Sequence, residues 1–192
     1  MDSRTRGDRD RAMIHCEYSE AAFAAPGERR RGWKGDRRSV EVAVTISRIF
    51  ESAVMVDALS RSRIDIFVQV LQIDGGQRCA AINAATLALI NAGVPLRDFV
   101  CASSVGYLEG SVLVDLNSVE SNMGGPELVV AMLPHSNGVL HCQADARIST
   151  LETFESMMEA GINGASQIFA VLSREVRLHT LRLVDSRGTI AF

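Results

Sequence analysis

Ile64-Asp65-Ile66-Phe67-Val68-Gln69-Val70-Leu71-Gln72-Ile73-Asp74-Gly75-Gly76-Gln77-Arg78 carries the decisive change of rhythm in this chain. Up to residue 73 the pattern has the period of two of a β-strand, with Ile64, Ile66, Val68 and Val70 on one face. Phe67 and Leu71 on the other face predict a strand covered on both sides, and hence central in its sheet. Beyond the two glycines the spacing becomes helical. Residues 77–92 read as a buried, Ala-rich helix that Gly93 closes and Pro95 keeps from continuing. Strand, two-glycine turn and helix together define an α/β unit.

The turn itself suits an anion. Gly75 and Gly76 allow positive φ and a close backbone approach. The helix that follows presents unpaired N–H groups at the positive end of its dipole. Arg78 lies in that first turn, where a cation is locally unfavourable unless an anion neutralises it. Two readings stand at this point: a phosphate cradle, or a turn that only changes direction. A Walker loop is excluded, because that needs a longer Gly-rich stretch ending in Lys-Ser/Thr.

Toward the N-terminus, Val40, Val42, Val44 and Ile46 alternate like a strand. Val42, Ile46, Ile49, Phe50, Ala53 and Val56 keep helical spacing over a longer window, and length favours the helix, with Asp36 capping or preceding it. Arg37 and Arg38 at its start oppose the helix dipole; they hold a phosphate backbone or point into solvent. Before them, residues 25–36 form a Pro/Gly-marked loop holding Arg29, Arg30, Arg31, Trp33 and Lys34. Arginines beside a possible stacking ring fit single-stranded nucleic acid. Residues 12–18 read as a strand and residues 1–11 as a polar leader.

Toward the C-terminus, short strands are predicted over 99–104, 111–116, 128–133 and 139–143. Gly106, Gly110, Gly124-Gly125 and Asn137-Gly138 punctuate them. A long helix follows from the capping box Ser149-Thr150-Leu151-Glu152, its apolar stripe running to Val176, with 181–192 as a tail. Asp115 at a strand end and Glu120 after it are carboxylates of the kind that bind Mg²⁺ or act as general acids; solvation is the simpler reading.

Bulk composition bounds the rest. At 192 residues and 47% hydrophobic, the chain can bury a core, and its 5% aromatic content leaves that core to aliphatic residues. Charge is uneven: net +3 over residues 1–38 and −6 over the remainder, which suits a polyanion partner or a solvated basic segment. Every apolar run is interrupted before it reaches a membrane span, and the Arg-rich start has no apolar signal core. Cys16, Cys79, Cys101 and Cys142 are too scattered for a paired motif and read as reduced thiols. The doublets His15-Cys16 and His141-Cys142 lie on strands, where neighbours face opposite ways, so no metal site is expected.

Residues 64–76 resemble the signature of RNase PH-type phosphorolytic exoribonucleases. The segments Asn83-Ala84-Ala85-Thr86-Leu87-Ala88-Leu89, Gly93-Val94-Pro95-Leu96-Arg97-Asp98 and Val114-Asp115-Leu116-Asn117 continue the resemblance in order. Within the family, Gly27-Glu28-Arg29-Arg30-Arg31 and Gly35-Asp36-Arg37-Arg38-Ser39 are most similar to eukaryotic exosome ring subunits. The resemblance implies an α/β (α+β) domain over 12–180 with a mixed sheet and packed helices, of the ribosomal protein S5 domain 2-like type. It implies assembly with other RNase PH-type subunits in a six-membered ring around single-stranded RNA, in nucleus, nucleolus and cytoplasm, with no membrane partner. By position, Gly76, Gln77 and Arg78 match the phosphate cradle, and Arg37 and Arg38, with Arg30 and Arg31 nearby, match RNA contacts.

Three departures shape the functional expectation. Asp115 matches the first of two aspartates spaced six apart, but Ser121 stands at the second, and a hydroxyl neither binds Mg²⁺ as a carboxylate does nor protonates a leaving group. Gln77 replaces a usual Ser or Thr. Family members also carry strands and an Arg-x-Asp-Gly-Arg motif upstream of residue 1, so the domain is expected to lack its first strands. The resemblance therefore implies a ring subunit for 3′-to-5′ RNA processing, including rRNA, that is mainly structural and RNA-binding and requires no cofactor. An active phosphorolytic enzyme would use inorganic phosphate and Mg²⁺. A small nucleotide-binding enzyme outside the family is the remaining alternative.

Overall fold

The computed structural model describes residues 11–24 and 36–188. In chain order it contains β1 (Met13–Glu20), α1 (Arg37–Ala53), a 3-10 turn (Val56–Leu59), β2 (Arg63–Val70) and α2 (Gln77–Asn91). Then come β3 (Cys101–Leu108), β4 (Ser111–Val114), α3 (Ser118–Ser121), β5 (Glu127–Leu133), β6 (Gly138–Ala144) and α4 (Leu151–Gly188). Helix wins over strand at residues 37–53, where Val42, Ile46, Ile49, Phe50 and Ala53 are all buried.

Parallel and antiparallel pairing are both present, but on separate ladders. β1 and β2 pair in parallel, with Ile14 opposite Ile64 and Cys16 opposite Ile66. The other sheet is antiparallel in the order β4-β3-β5-β6. Along β5, Val129 and Ala131 join the core formed with α1, α2, β1 and β2, while Leu128, Val130 and Met132 pack toward α4. This is strand alternation with both faces covered. The structural centre is therefore β3 and β5.

The expectation that β2 is central is corrected by this arrangement. Among the described residues β2 pairs only with β1, and Phe67 and Leu71 are 73% and 63% exposed. Only the face of Ile64, Ile66, Val68 and Val70 packs inward. Gly106, expected to break a strand, lies inside β3, because a Cβ there would overlap the Leu116 side chain. The β3–β4 turn instead uses Glu109 and Gly110, at φ 47° and 84°, the two positive values of a tight hairpin. At α4 the cap falls one residue later than the sequence suggested. The Thr153 amide donates to Thr150 Oγ1 at 3.2 Å, and the helix continues into the C-terminal tail as far as Gly188.

Helix α2 is fastened to β3 by two side chains. β3 pairs with β4 only from Val105 onward, which, among the described residues, leaves its first half without a strand on that side. Asn83 takes the missing strand's place. Its Nδ2 donates to the Ala102 carbonyl at 2.9 Å, and the Ala102 amide donates to its Oδ1 at 2.8 Å. The wholly buried Thr86 hydroxyl donates to the Val100 carbonyl at 2.8 Å. Asn83→Ala would strand two buried backbone groups, so denaturant unfolding should show a loss of about 2 to 3 kcal/mol.

Candidate functional site

The β2–α2 turn is held against the segment that leaves β4. Gly75 has φ 94°, and a Cβ there would overlap the Leu116 carbonyl oxygen. Gly76 is left-handed at φ 56°, and a Cβ would lie 2.8 Å from Asp115 Oδ1. The Ser118 hydroxyl donates to Asp74 Oδ1 at 2.6 Å and its amide does so at 3.4 Å; these bonds lower the Asp74 pKa. Asn117 caps α3 by accepting from Val119 and Glu120 amides, and Glu120 accepts in return from the Asn117 amide at 2.9 Å. Glu120 is thus committed to a capping box, which removes it from the candidate ligands.

A cleft of about 80 Å³ opens at the N-terminus of α2. It brings together Arg38 from α1, Gly75, Gly76, Gln77 and Arg78 from the turn, Ser104 from β3, Ser121 at the end of α3, Glu127 from β5 and Asp145 beyond β6. The Arg78 guanidinium is 19% exposed and donates from Nη1 to Asp145 Oδ1 at 3.0 Å. Asp145 is in turn fixed to β5 by its amide, which donates to the Glu127 carbonyl at 2.9 Å.

Glu127 and Asp145 were not identified from sequence. Glu127 Oε2 accepts from the Ser121 hydroxyl at 3.3 Å. Burial raises the Glu127 pKa, the nearby Asp145 charge raises it further, and Ser121, Arg78 and Arg38 oppose the shift. The carboxyl that faces Ser121 is therefore Glu127, six positions on in the chain. Asp115 is placed differently. It adopts φ 63°, its amide donates to the Ser104 carbonyl at 2.8 Å, and its carboxylate lies beside Gly76 outside the cleft lining.

The structure thus gathers Gly76, Gln77, Arg78, Arg38 and Ser121 into one site. Arg37, one step around α1 from Arg38, does not join the lining. Arg30 and Arg31, with Trp33 and Lys34, lie outside the described residues. Among the described residues no three His, Cys, Asp or Glu side chains are grouped to hold a metal ion. The two carboxylates in the cleft do not make up a protein-built Mg²⁺ site, since Asp145 already serves Arg78. His15 faces Asp65 from an exposed position while Cys16 is buried, which is the divergence expected of strand neighbours. Burial raises the Cys16 thiol pKa to about 11 and the Cys79 and Cys101 thiols to about 12, so these three are unreactive near neutral pH.

Comparison with known proteins places the chain in a family. Residues 2–95 match the 3′ exoribonuclease family, domain 1, and residues 98–164 match domain 2 of the same family. The chain is 45% identical over 177 residues to a Bos taurus protein named exosome complex component RRP41, covering 92% of this chain and 71% of that one. It is 36% identical over 179 residues to exosome complex component Rrp41 of Thermococcus onnurineus, covering 93% and 71%. Among solved structures, rice (Oryza sativa) Rrp46 superposes with a TM-score of 0.74 at 22% identity, covering 89% of this chain and 76% of that one. The Archaeoglobus fulgidus exosome with RNA bound to the active site gives 0.69 at 19% identity, covering 87% and 73%. Those two structures share the fold. The two consecutive family matches and the sequence relatives settle the lineage: the chain belongs to the RNase PH, or 3′ exoribonuclease, family.

Proposed function

We propose that this chain is a ring subunit of an RNA exosome that takes part in 3′-to-5′ RNA processing and degradation, including that of rRNA. Its own contribution is mainly structure and RNA contact. One observation carries this reading. Arg38 and Arg78, from helices 40 residues apart in sequence, converge on the open N-terminus of α2 in one cleft, while the position opposite Glu127 holds only the Ser121 hydroxyl. Two guanidinium groups and unpaired amides bind phosphates. A hydroxyl cannot share the acid work of a carboxylate. The relatives named exosome complex component RRP41 support assignment to a specific ring subunit type, that of exosome component 4. They also support partnership with other RNase PH-type subunits in a six-membered ring. Nuclear, nucleolar and cytoplasmic residence goes with that assignment. Among the described residues no helix is long and apolar enough to cross a membrane.

The test is co-purification of the full chain with RNase PH-type ring subunits, followed by crosslinking to single-stranded RNA. Arg38→Ala should leave ring assembly intact and weaken crosslinking several-fold. Failure to assemble with any such subunit would overturn the assignment.

A second reading, active phosphorolysis, is favoured by Glu127. In that reaction an inorganic phosphate oxygen attacks the phosphorus of the 3′-terminal phosphodiester. The bond to the preceding nucleotide's O3′ breaks, a nucleoside diphosphate leaves, and O3′ takes up a proton. A carboxyl with a raised pKa beside Arg78 is able to deliver that proton. The second reading predicts nucleoside diphosphate release that falls as pH rises and disappears in Glu127→Gln. Stability gives an independent check. Because Glu127 titrates above its unfolded value, its contribution is fully present below the unfolded pKa and lost as pH rises through the folded one. Glu127→Gln should therefore flatten the fall of melting temperature across that acidic window.

A further inference from the structure

Ser104 lies on β3, behind the cleft rather than on its rim. The residue is 1% exposed, yet it lines the cleft, and its Oγ has no nitrogen or oxygen hydrogen-bond partner among the described residues. A buried hydroxyl without a partner is costly, and such groups are rare in folded proteins. Its buried neighbour is the Cys79 thiol, whose pKa burial pushes up to about 12 while a side-chain hydrogen bond from Ser104 opposes that rise; sulfur is a weak acceptor, so the hydroxyl is held only weakly there. Burial of an apolar group would have satisfied this position if packing were its only task.

Its surroundings say what the hydroxyl meets. The Oγ would lie 3.5 Å from a Cβ placed on Gly76 and Asp115 Oδ1 2.8 Å from it, so the hydroxyl and that carboxylate oxygen both border Gly76. Gly76 immediately precedes the first turn of α2, a helix of 15 residues whose leading amides point into the same space. Arg78 reaches the cleft from one side, held there by Asp145 through a single guanidinium nitrogen, with its other donors free of that contact. Backbone amides, a guanidinium and a hydroxyl whose own partner is only a sulfur form a set of donors matched to a tetrahedral oxyanion.

We infer that Ser104 is a phosphate ligand, its hydroxyl donating to an oxygen of a phosphoryl group seated between Gly76 and Arg78. This rests on the phosphate-binding reading of the cleft and adds a residue to it. The same chemistry is offered by inorganic phosphate and by a terminal phosphodiester of RNA, and the two are separable by experiment.

The test uses the full chain in its ring assembly and the variant Ser104→Ala. Inorganic phosphate binding is measured by calorimetry, and binding of a short single-stranded RNA is measured separately. Loss of one hydrogen bond predicts phosphate affinity weaker by about five- to tenfold. The melting temperature without phosphate should be unchanged or higher, since the variant removes a buried hydroxyl whose only bond is a weak one to sulfur; a merely structural serine would lower it. Weakened phosphate binding with unchanged RNA binding assigns Ser104 to free phosphate. Weakened RNA binding with unchanged phosphate binding assigns it to the terminal phosphodiester. If Arg78→Ala abolishes phosphate binding while Ser104→Ala changes neither ligand, the inference is overturned and the cleft reading survives. If the wild-type assembly binds neither ligand, both are overturned.

Discussion

Arg78→Ala is expected to weaken binding of inorganic phosphate to the assembled ring by about a hundredfold, the equivalent of about 3 kcal/mol for losing charge-assisted donors in a sheltered site. The geometry gives the reason. Arg78 is the most enclosed cation of the cleft at 19% exposure, and it already stands beside the α2 amides. Its pairing with Asp145 fixes the guanidinium before any ligand arrives, so little side-chain entropy remains to be lost on binding. The fold should tolerate the change. A cation in the first turn opposes the helix dipole, and Asp145, 43% exposed, can rehydrate once its partner is gone. Arg78→Lys should fall between the two, because lysine keeps the charge but lacks the planar fork. Calorimetric titration with phosphate measures all three proteins.

Gly75→Ala is expected to be the most damaging single substitution in the site, costing at least about 3 kcal/mol or preventing folding. Two effects combine there. The backbone is at φ 94°, which L side chains rarely adopt, and a Cβ would overlap the Leu116 carbonyl and approach Asn117. Those neighbours are main chain, so no rotamer change relieves the overlap. Moving them would displace Leu116, which fills the space left by Gly106, and would pull Asp74 from Ser118. Gly93→Ala is the matched control. It shares a positive φ of 75° but meets nothing within 4 Å, so only the conformational cost of about 1 kcal/mol applies. Denaturant midpoints for the pair should differ accordingly.

The parts of this molecule that were readable from sequence are those whose signal is local. The strand, two-glycine turn and helix at residues 63–91 follow from a change of period at Gly75-Gly76, and Gly93 closes α2 as expected. Helix α1 was decided by the length of its apolar pattern. The errors fall where the local signal runs out. Phe67 and Leu71 look like core residues by type, but exposure depends on what packs over them, and no periodicity carries that information. Ser149 and Thr150 are both acceptable caps, and only the backbone geometry selects Thr150.

The site divides along the same line. Gly76, Gln77 and Arg78 are contiguous and could be found by inspection. Glu127 and Asp145 reach Arg78 only because antiparallel pairing sets Leu128 opposite Ala144 at the end of β5 and β6. Their neighbours in sequence give no hint of this. Ser104 reads as an ordinary polar residue in a strand until its burial, with no nitrogen or oxygen partner among the described residues, marks it out. The six-residue spacing that led to Asp115 and Ser121 recurs between Ser121 and Glu127, and only the second pair faces across the cleft.

As proposed, this cleft binds phosphate and RNA and contributes little or no chemistry of its own. The most direct measurement is release of nucleoside diphosphates from single-stranded RNA by the assembled ring, with Mg²⁺ and with or without inorganic phosphate. The account predicts no phosphate-dependent product from this subunit's site, and the same background from wild type and Arg78→Ala. Phosphate-dependent nucleoside diphosphates from the wild-type ring that vanish in both Arg78→Ala and Glu127→Gln would contradict it, and would make Glu127 the acid of a working phosphorolytic enzyme.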